Sequence, residues 1–137
     1  MEIKIDRDSF ARALALVQGV VERKHTMPVL ANALLSAHDD ALEIVVTDLE
    51  ICMRNRVASL ATETTGTVTV NARKLYEVIK ELPDSTVELR SMENHWVEIR
   101  SGRSQFHIAG LPAQDFPTIP SMEDAVYRSV PERQLRR

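Results

Sequence analysis

The feature that most constrains this chain is a pattern that occurs twice. Residues 2–7 alternate in polarity, with Ile3 and Ile5 on one side and Lys4 and Asp6 on the other, as a half-buried strand does. Asp8 then stands where a helix N-cap belongs, its carboxylate able to accept the free N–H groups of a first turn. Phe10, Leu14, Val17 and Val21 follow at steps of four, three and four and give that helix one apolar face. Gly19 weakens its far end, and Thr26-Met27-Pro28 stops it. Three strand-like runs come next, residues 29–38, 41–48 and 50–60, with Asp39-Asp40 as a tight turn between the first two. The third alternates poorly.

The same order then recurs. Residues 67–70 read as a short strand, Asn71 takes the N-cap position, and Leu75, Val78, Ile79 and Leu82 make an apolar helix face that Pro83-Asp84 breaks. Runs at 86–92, 96–100 and 104–109 follow, separated by Glu93-Asn94 and Ser101-Gly102. Placing Phe10 on Leu75 puts Leu14 on Ile79 and Val17 on Leu82, so the two helices share one register. A fixed offset of about 65 residues is too long for a small solenoid and indicates a duplicated half-domain. The fold class is therefore α+β: a β-α-β-β-β unit, duplicated, with two helices packed on antiparallel sheets.

Residues 111–120 are proline-rich and read as a linker or an edge-covering loop. Beyond them, 126–130 resembles another strand, Pro131 suits a first helical turn, and Leu135 falls where Phe10 and Leu75 fell. The division expected is thus a domain over 1–120 and the beginning of a further one over 121–137. A helix stopped at Arg137 after about one turn buries no apolar face. The natural product is therefore expected to be longer, and 121–137 to be poorly packed.

Composition narrows the function classes. Aromatic residues make up 4% of the 137, so the core must come from Leu, Val, Ile and Ala. Cys52 is the only cysteine, which rules out an internal disulfide framework and fits a reducing compartment. It lies in an apolar run beside Ile51 and Met53 and reads as a structural thiol. His25, His38, His95 and His107 show no metal-ligand spacing. Asp48 and Glu50 suggest a carboxylate pair, but such a run at a strand junction commonly caps a turn. No glycine-rich phosphate loop occurs among the four glycines. No signal-peptide pattern opens the chain, and no stretch reaches the roughly 18 apolar residues of a membrane span. No enzyme activity, cofactor, metal or membrane partner is expected.

The net charge of −3 does not advertise nucleic-acid binding. Locally, however, Arg7, Arg12, Arg23 and Lys24 flank or lie on the first helix, and Arg73, Lys74 and Lys80 lie on the second, off the apolar faces. Glu22, Glu77 and Glu81 dilute them, and charge alone favours a plain solvated face. On the last strand of the second unit, Phe106 and Ile108 alternate with Gln105 and His107. Such a strand either packs into the core or, at a sheet edge, needs a cover or a partner chain.

Four segments carry a family resemblance. They are Thr26-Met27-Pro28-Val29-Leu30 with Asn32 and Leu34-Leu35; Thr47-Asp48-Leu49-Glu50; Ala72-Arg73-Lys74; and Arg100-Ser101-Gly102-Arg103-Ser104 with Phe106, running on to Leu111-Pro112 and Asp115-Phe116-Pro117. In this order and spacing the chain resembles the N-terminal domain of the bacterial sliding clamp, the β subunit of DNA polymerase III. The resemblance implies a DNA-clamp fold from a cytoplasmic, non-catalytic processivity factor: a ring of two subunits around duplex DNA, with helices lining the hole and sheets outside. It implies sequence-independent DNA contacts at Lys24 and Arg73 first, then Arg7, Arg12 and Arg23. It implies a contact with a second clamp subunit through Lys74, Arg103, Gln105, Phe106 and Ile108. Family members often carry Arg where Lys24 and Gln105 stand and near Trp96, so phosphate forks and ionic pairing are reduced or rearranged here. Polymerase and clamp loader are implied to bind domains beyond this one. The reading from residues alone that competes with it is a β-rich oligomerisation or scaffold module with no nucleic-acid role.

Overall fold

Two strands that run straight into helices organise the structure, a computed structural model that describes residues 1–21, 31–48 and 51–117. The first unit comprises β1 (Glu2–Asp6), α1 (Arg7–Val21), β2 (Asn32–Ala37), β3 (Ala41–Thr47) and β4 (Cys52–Thr64). The second comprises β5 (Gly66–Asn71), α2 (Ala72–Lys80), β6 (Thr86–Ser91), β7 (Val97–Ser101) and β8 (Ser104–Ile108). A two-residue strand β9 (Gly110–Leu111) follows.

Both helices start in the same way, and the first start corrects the expectation of an Asp8 cap. Strand β1 stays paired with β6 as far as Asp6 opposite Thr86, so the helix begins at Arg7. Asp6 is the residue that caps it, its Oδ2 accepting the Ser9 N–H at 2.9 Å. That backbone hydrogen bond, more than any other influence, holds the Asp6 carboxyl below its ordinary value. In the second unit Asn71 Oδ1 accepts the Lys74 N–H at 2.9 Å, as expected of an N-cap. The shared helix register also holds: Phe10, Leu14, Val17, Leu75, Ile79 and Leu82 are all buried.

The strand order β8-β7-β6-β1-β4-β3-β2-β5-β9 shows how the halves interlock, every pair being antiparallel. Each unit's first strand leaves its own meander and joins the other's: β1 pairs with β6, and β5 pairs with β2. Each unit's last strand then crosses over. The long β4 pairs with β3 through Cys52–Ala58 and with β1 from Ser59 onward. Likewise β8 pairs with β7, and its continuation β9 pairs with β5. This crossing explains two departures from expectation. The run expected over 50–60 extends to Thr64 with no regular alternation, because it changes neighbours midway. Leu111, the first residue of the segment expected as a linker or edge-covering loop, ends strand β9. Gly110 lies where that continuation squeezes past: an added Cβ would come within 2.4 Å of the His95 carbonyl oxygen and 2.8 Å of that of Thr69.

The repeat offset is not fixed. Arg7 to Ala72 is a step of 65 residues, whereas Asn32 to Thr86 is one of 54. The shorter second helix, nine residues against fifteen, and a shorter connection to the next strand make up the difference. One core of Leu, Val, Ile and Ala with Phe10 spans both units and both helices, as the composition required. The expected strand over 126–130 and the packing of 121–137 lie outside the described residues.

Candidate functional site

The two helices lie against each other and run antiparallel. Arg7 Nη1 at the start of α1 donates to the Leu82 carbonyl just past α2, at 2.7 Å. Gln18 Nε2 near the other end donates to the carbonyl of Ala72, the first residue of α2, at 3.3 Å, and to that of Leu14 at 3.1 Å. Their apolar faces are spent on the shared core, so the opposite faces hold the polar groups.

The cations expected to meet DNA fare differently. Arg73 is 67% exposed, with Nε 3.7 Å from the Glu77 carboxylate one turn on, a pairing that solvent weakens. Arg12 is exposed on α1, its guanidinium 3.5 Å from the Ser9 hydroxyl. Arg7 is committed elsewhere: besides Leu82 it pairs with Asp8 Oδ1 at 2.8 Å, so it joins the helix ends and offers less charge outward. Arg23 and Lys24 lie outside the described residues. Lys80 Nζ sits 5.0 Å from the Tyr76 ring centre on α2. The charges are not duplicated with the fold, since Arg12 and Glu77 occupy matching helix positions, as do Asp8 and Arg73.

At the other candidate site, β8 forms one edge of the sheet. Phe106 is 41% exposed there, so core packing does not account for it. An open groove of about 430 Å³ runs between α2 and β8, lined by Lys74, Glu77, Val78, Glu81, Phe106, His107 and Ile108. The structure thus brings Lys74, Phe106 and Ile108 together and places Arg103 in the β7–β8 turn beside Gly102, whose φ is +59°. Gln105 does not join them. Strand alternation puts it on the opposite sheet face, where its amide donates to Glu98.

That face carries a network which sequence periodicity missed. Glu98 is almost wholly shielded from solvent, although it sits on the side away from the core. Arg90, directly across on β6, donates to its Oε1 from Nε at 2.9 Å and from Nη2 at 2.6 Å. His107, across on β8, lies 3.9 Å from Oε2. Nearby, Met92 and the 43%-exposed Trp96 line an open groove of about 750 Å³ with Arg90, Ser91, Glu93, Asn94 and His107. Cross-strand register, which a one-dimensional pattern does not contain, is the missing signal.

The Arg90 hydrogen bonds hold the Glu98 carboxyl below the ordinary 4.5. A lowered folded value means the network stabilises the fold above the unfolded value and loses that contribution as pH falls through the folded one. Urea titrations of wild type and Glu98→Gln should therefore differ at neutral pH and converge as pH drops below about 4. A constant gap across that range would show that ionisation of Glu98 contributes nothing.

Of the carboxylate pair, Asp48 Oδ1 accepts the Ile51 N–H at 2.7 Å, as a capping side chain does, while Glu50 lies outside the described residues. Cys52 is half-buried, and burial pushes its thiol pKa up, the opposite of an activated nucleophile. Among the described residues no group of three or more His, Cys, Asp or Glu side chains is placed to hold a metal ion. Among them no helix is long and apolar enough to cross a membrane.

Interlocked strand–helix–meander units with paired antiparallel helices define a clamp-type domain of the α+β class. The family described as DNA polymerase III beta subunit, N-terminal domain, matches residues 1–120, and the chain belongs to that family. It is 38% identical over 138 residues to the beta sliding clamp of Pseudomonas aeruginosa and 33% identical over 137 residues to that of Escherichia coli K12. All of this chain is covered in both cases, and 37% of each relative. The chain therefore spans little more than a third of the length of these relatives. A solved sliding clamp from Caulobacter crescentus superposes with a TM-score of 0.82 at 38% identity, over 89% of this chain and 32% of that one. One from Bacillus subtilis gives 0.83 at 28% identity, over 88% and 33%.

Proposed function

We propose that the chain is the N-terminal part of a sliding-clamp subunit, over 1–120, with the start of a second clamp domain over 121–137. In the closed ring its two helices form a sector of the inner wall around duplex DNA. Arg73, Arg12, Lys24 and Arg23 supply a loose cationic lining, with Arg7 holding the helices together more than touching phosphate. A ring that slides gains nothing from reading base edges, since each specific contact would be a well along the track. Screened contacts to phosphate suffice, because the closed topology supplies the persistence. The β8 edge, with Lys74, Phe106, Ile108 and Arg103, takes a second subunit. Polymerase and clamp loader bind through further domains, the setting is the bacterial cytoplasm, and neither cofactor nor catalysis is part of the role.

The observation that carries this reading is the pair of antiparallel helices in a member of this family, with Arg12 and Arg73 on their exposed sides. Fluorescence anisotropy with labelled duplex DNA tests it. This chain, little more than a third of its relatives' length, should bind weakly at low salt and lose binding steeply as salt rises. The pair Lys24→Glu and Arg73→Glu should abolish most of that binding, and the logarithmic salt slope should fall by about 0.9 for each phosphate no longer neutralised. An unchanged curve would remove both residues from the mechanism. Self-association with no DNA affinity at low salt would instead favour the scaffold reading.

A further inference from the structure

Besides the main core, the described residues contain a second, separate apolar cluster on the outer face of the sheet. There Phe116, almost fully buried, seats against Val45, with Leu34 and Cys52 packed around them. Cross-strand register places Leu111, Thr69, Leu34 and Val45 side by side in one row. The segment that brings Phe116 there is stiff. A single 3-10 turn, Ala113–Asp115, is closed by Asp115 N–H to Pro112 O at 3.0 Å and Phe116 N–H to Ala113 O at 3.0 Å, with a proline on either side.

We propose that residues 110–117 are a latch: β9 pairs with β5, Phe116 is the peg in the Leu34–Val45–Cys52 dimple, and the latch opens locally while the domain stays folded. Its closed state fixes the direction in which the chain leaves this domain at Pro117. The proposal rests on the reading above only in that a further domain follows.

Two features make the latch releasable. Its apolar contacts are outside the main core, so opening it leaves both helices and both meanders intact. The Thr69 hydroxyl, fully buried in the same row, has no hydrogen-bond partner among the described residues. Closing the latch takes water from that hydroxyl and returns nothing, which weakens the closed state. Opening also takes Phe116 out of the cluster against which Cys52, the only cysteine in the sequence, packs. The thiol therefore reports the latch.

Iodoacetamide alkylation of Cys52 in the folded protein, followed by mass spectrometry, supplies the test, with urea unfolding of each variant measured in parallel. Phe116→Ala should speed alkylation at least tenfold. Thr69→Val, which keeps the shape and removes the unpartnered hydroxyl, should slow it severalfold. Leu89→Ala, in the main core, should lower global stability yet leave alkylation in native buffer within twofold of wild type. Rates that simply follow global stability across the four proteins, or that are the same in all, would overturn the latch. No DNA or subunit binding enters this readout, so the latch and the clamp reading fail separately.

Discussion

Replacing Phe10 with alanine should lower the unfolding free energy by about 3–5 kcal/mol. Phe10 has no exposed surface and lies in the core that joins both units. A domain of this size has a total stability of roughly 5–15 kcal/mol, so the variant would stand near its folding threshold. Leu16→Ala, on the same helix but 64% exposed, should change stability by less than about 0.5 kcal/mol. The matched position in the second helix, Leu75→Ala, should cost about 2–5 kcal/mol. These two losses should not add, because the helices touch and share one core. The strand exchange makes a further demand. With β1 completing the second unit's meander and β5 the first's, neither unit keeps its sheet if the other unfolds. Urea unfolding followed by far-UV circular dichroism and by Trp96 fluorescence should therefore give one coincident transition. Two separated transitions would mean that the repeats are independent modules.

The N-cap shows how much of this was legible. Local rules picked Asp8, because a carboxylate two residues before Phe10 fits a first turn. The repeat itself named a different residue: a register that puts Phe10 on Leu75 puts Asp6 on Asn71, and Asp6 is the residue that caps. Periodicity and duplication together thus located both helices, their buried faces and most strands. They did not contain the strand exchange, because polarity alternation says which face a strand buries and nothing about its neighbour. For the same reason β4 looked irregular, Leu111 of β9 looked like linker, and nothing in the alternation singled out Glu98. Among the site residues, exposure on a helix followed from spacing, as for Arg12 and Arg73. That Arg7 turns to the Leu82 carbonyl did not, since its partner is 75 residues away.

In a chain extended to the length of its relatives, the subunit pairing proposed above should be lost in Phe106→Asp while each subunit stays folded. The fold should tolerate it because Phe106 is already half open to water on the edge strand, with the core completed by Val97 and Ile99 on β7. Association should not tolerate it. A strand that docks on β8 covers the Phe106 ring and the groove it shares with Val78 and Ile108, so aspartate there would bury a carboxylate. The ionisable groups that line the groove are Lys74, Glu77, Glu81 and His107, and the two carboxylates add repulsion. Losing an interface anchor of this kind costs at least about 2 kcal/mol, and the uncompensated charge adds to it. The dissociation constant should therefore rise by more than about thirtyfold. Arg103→Glu, at the exposed turn of the same edge, should act mainly on the association rate and be masked by salt. Sedimentation equilibrium over a concentration series at two salt levels distinguishes the two variants. If Phe106→Asp left the dimer intact, this edge would not be where the subunits meet, and the exposed ring would need another cover.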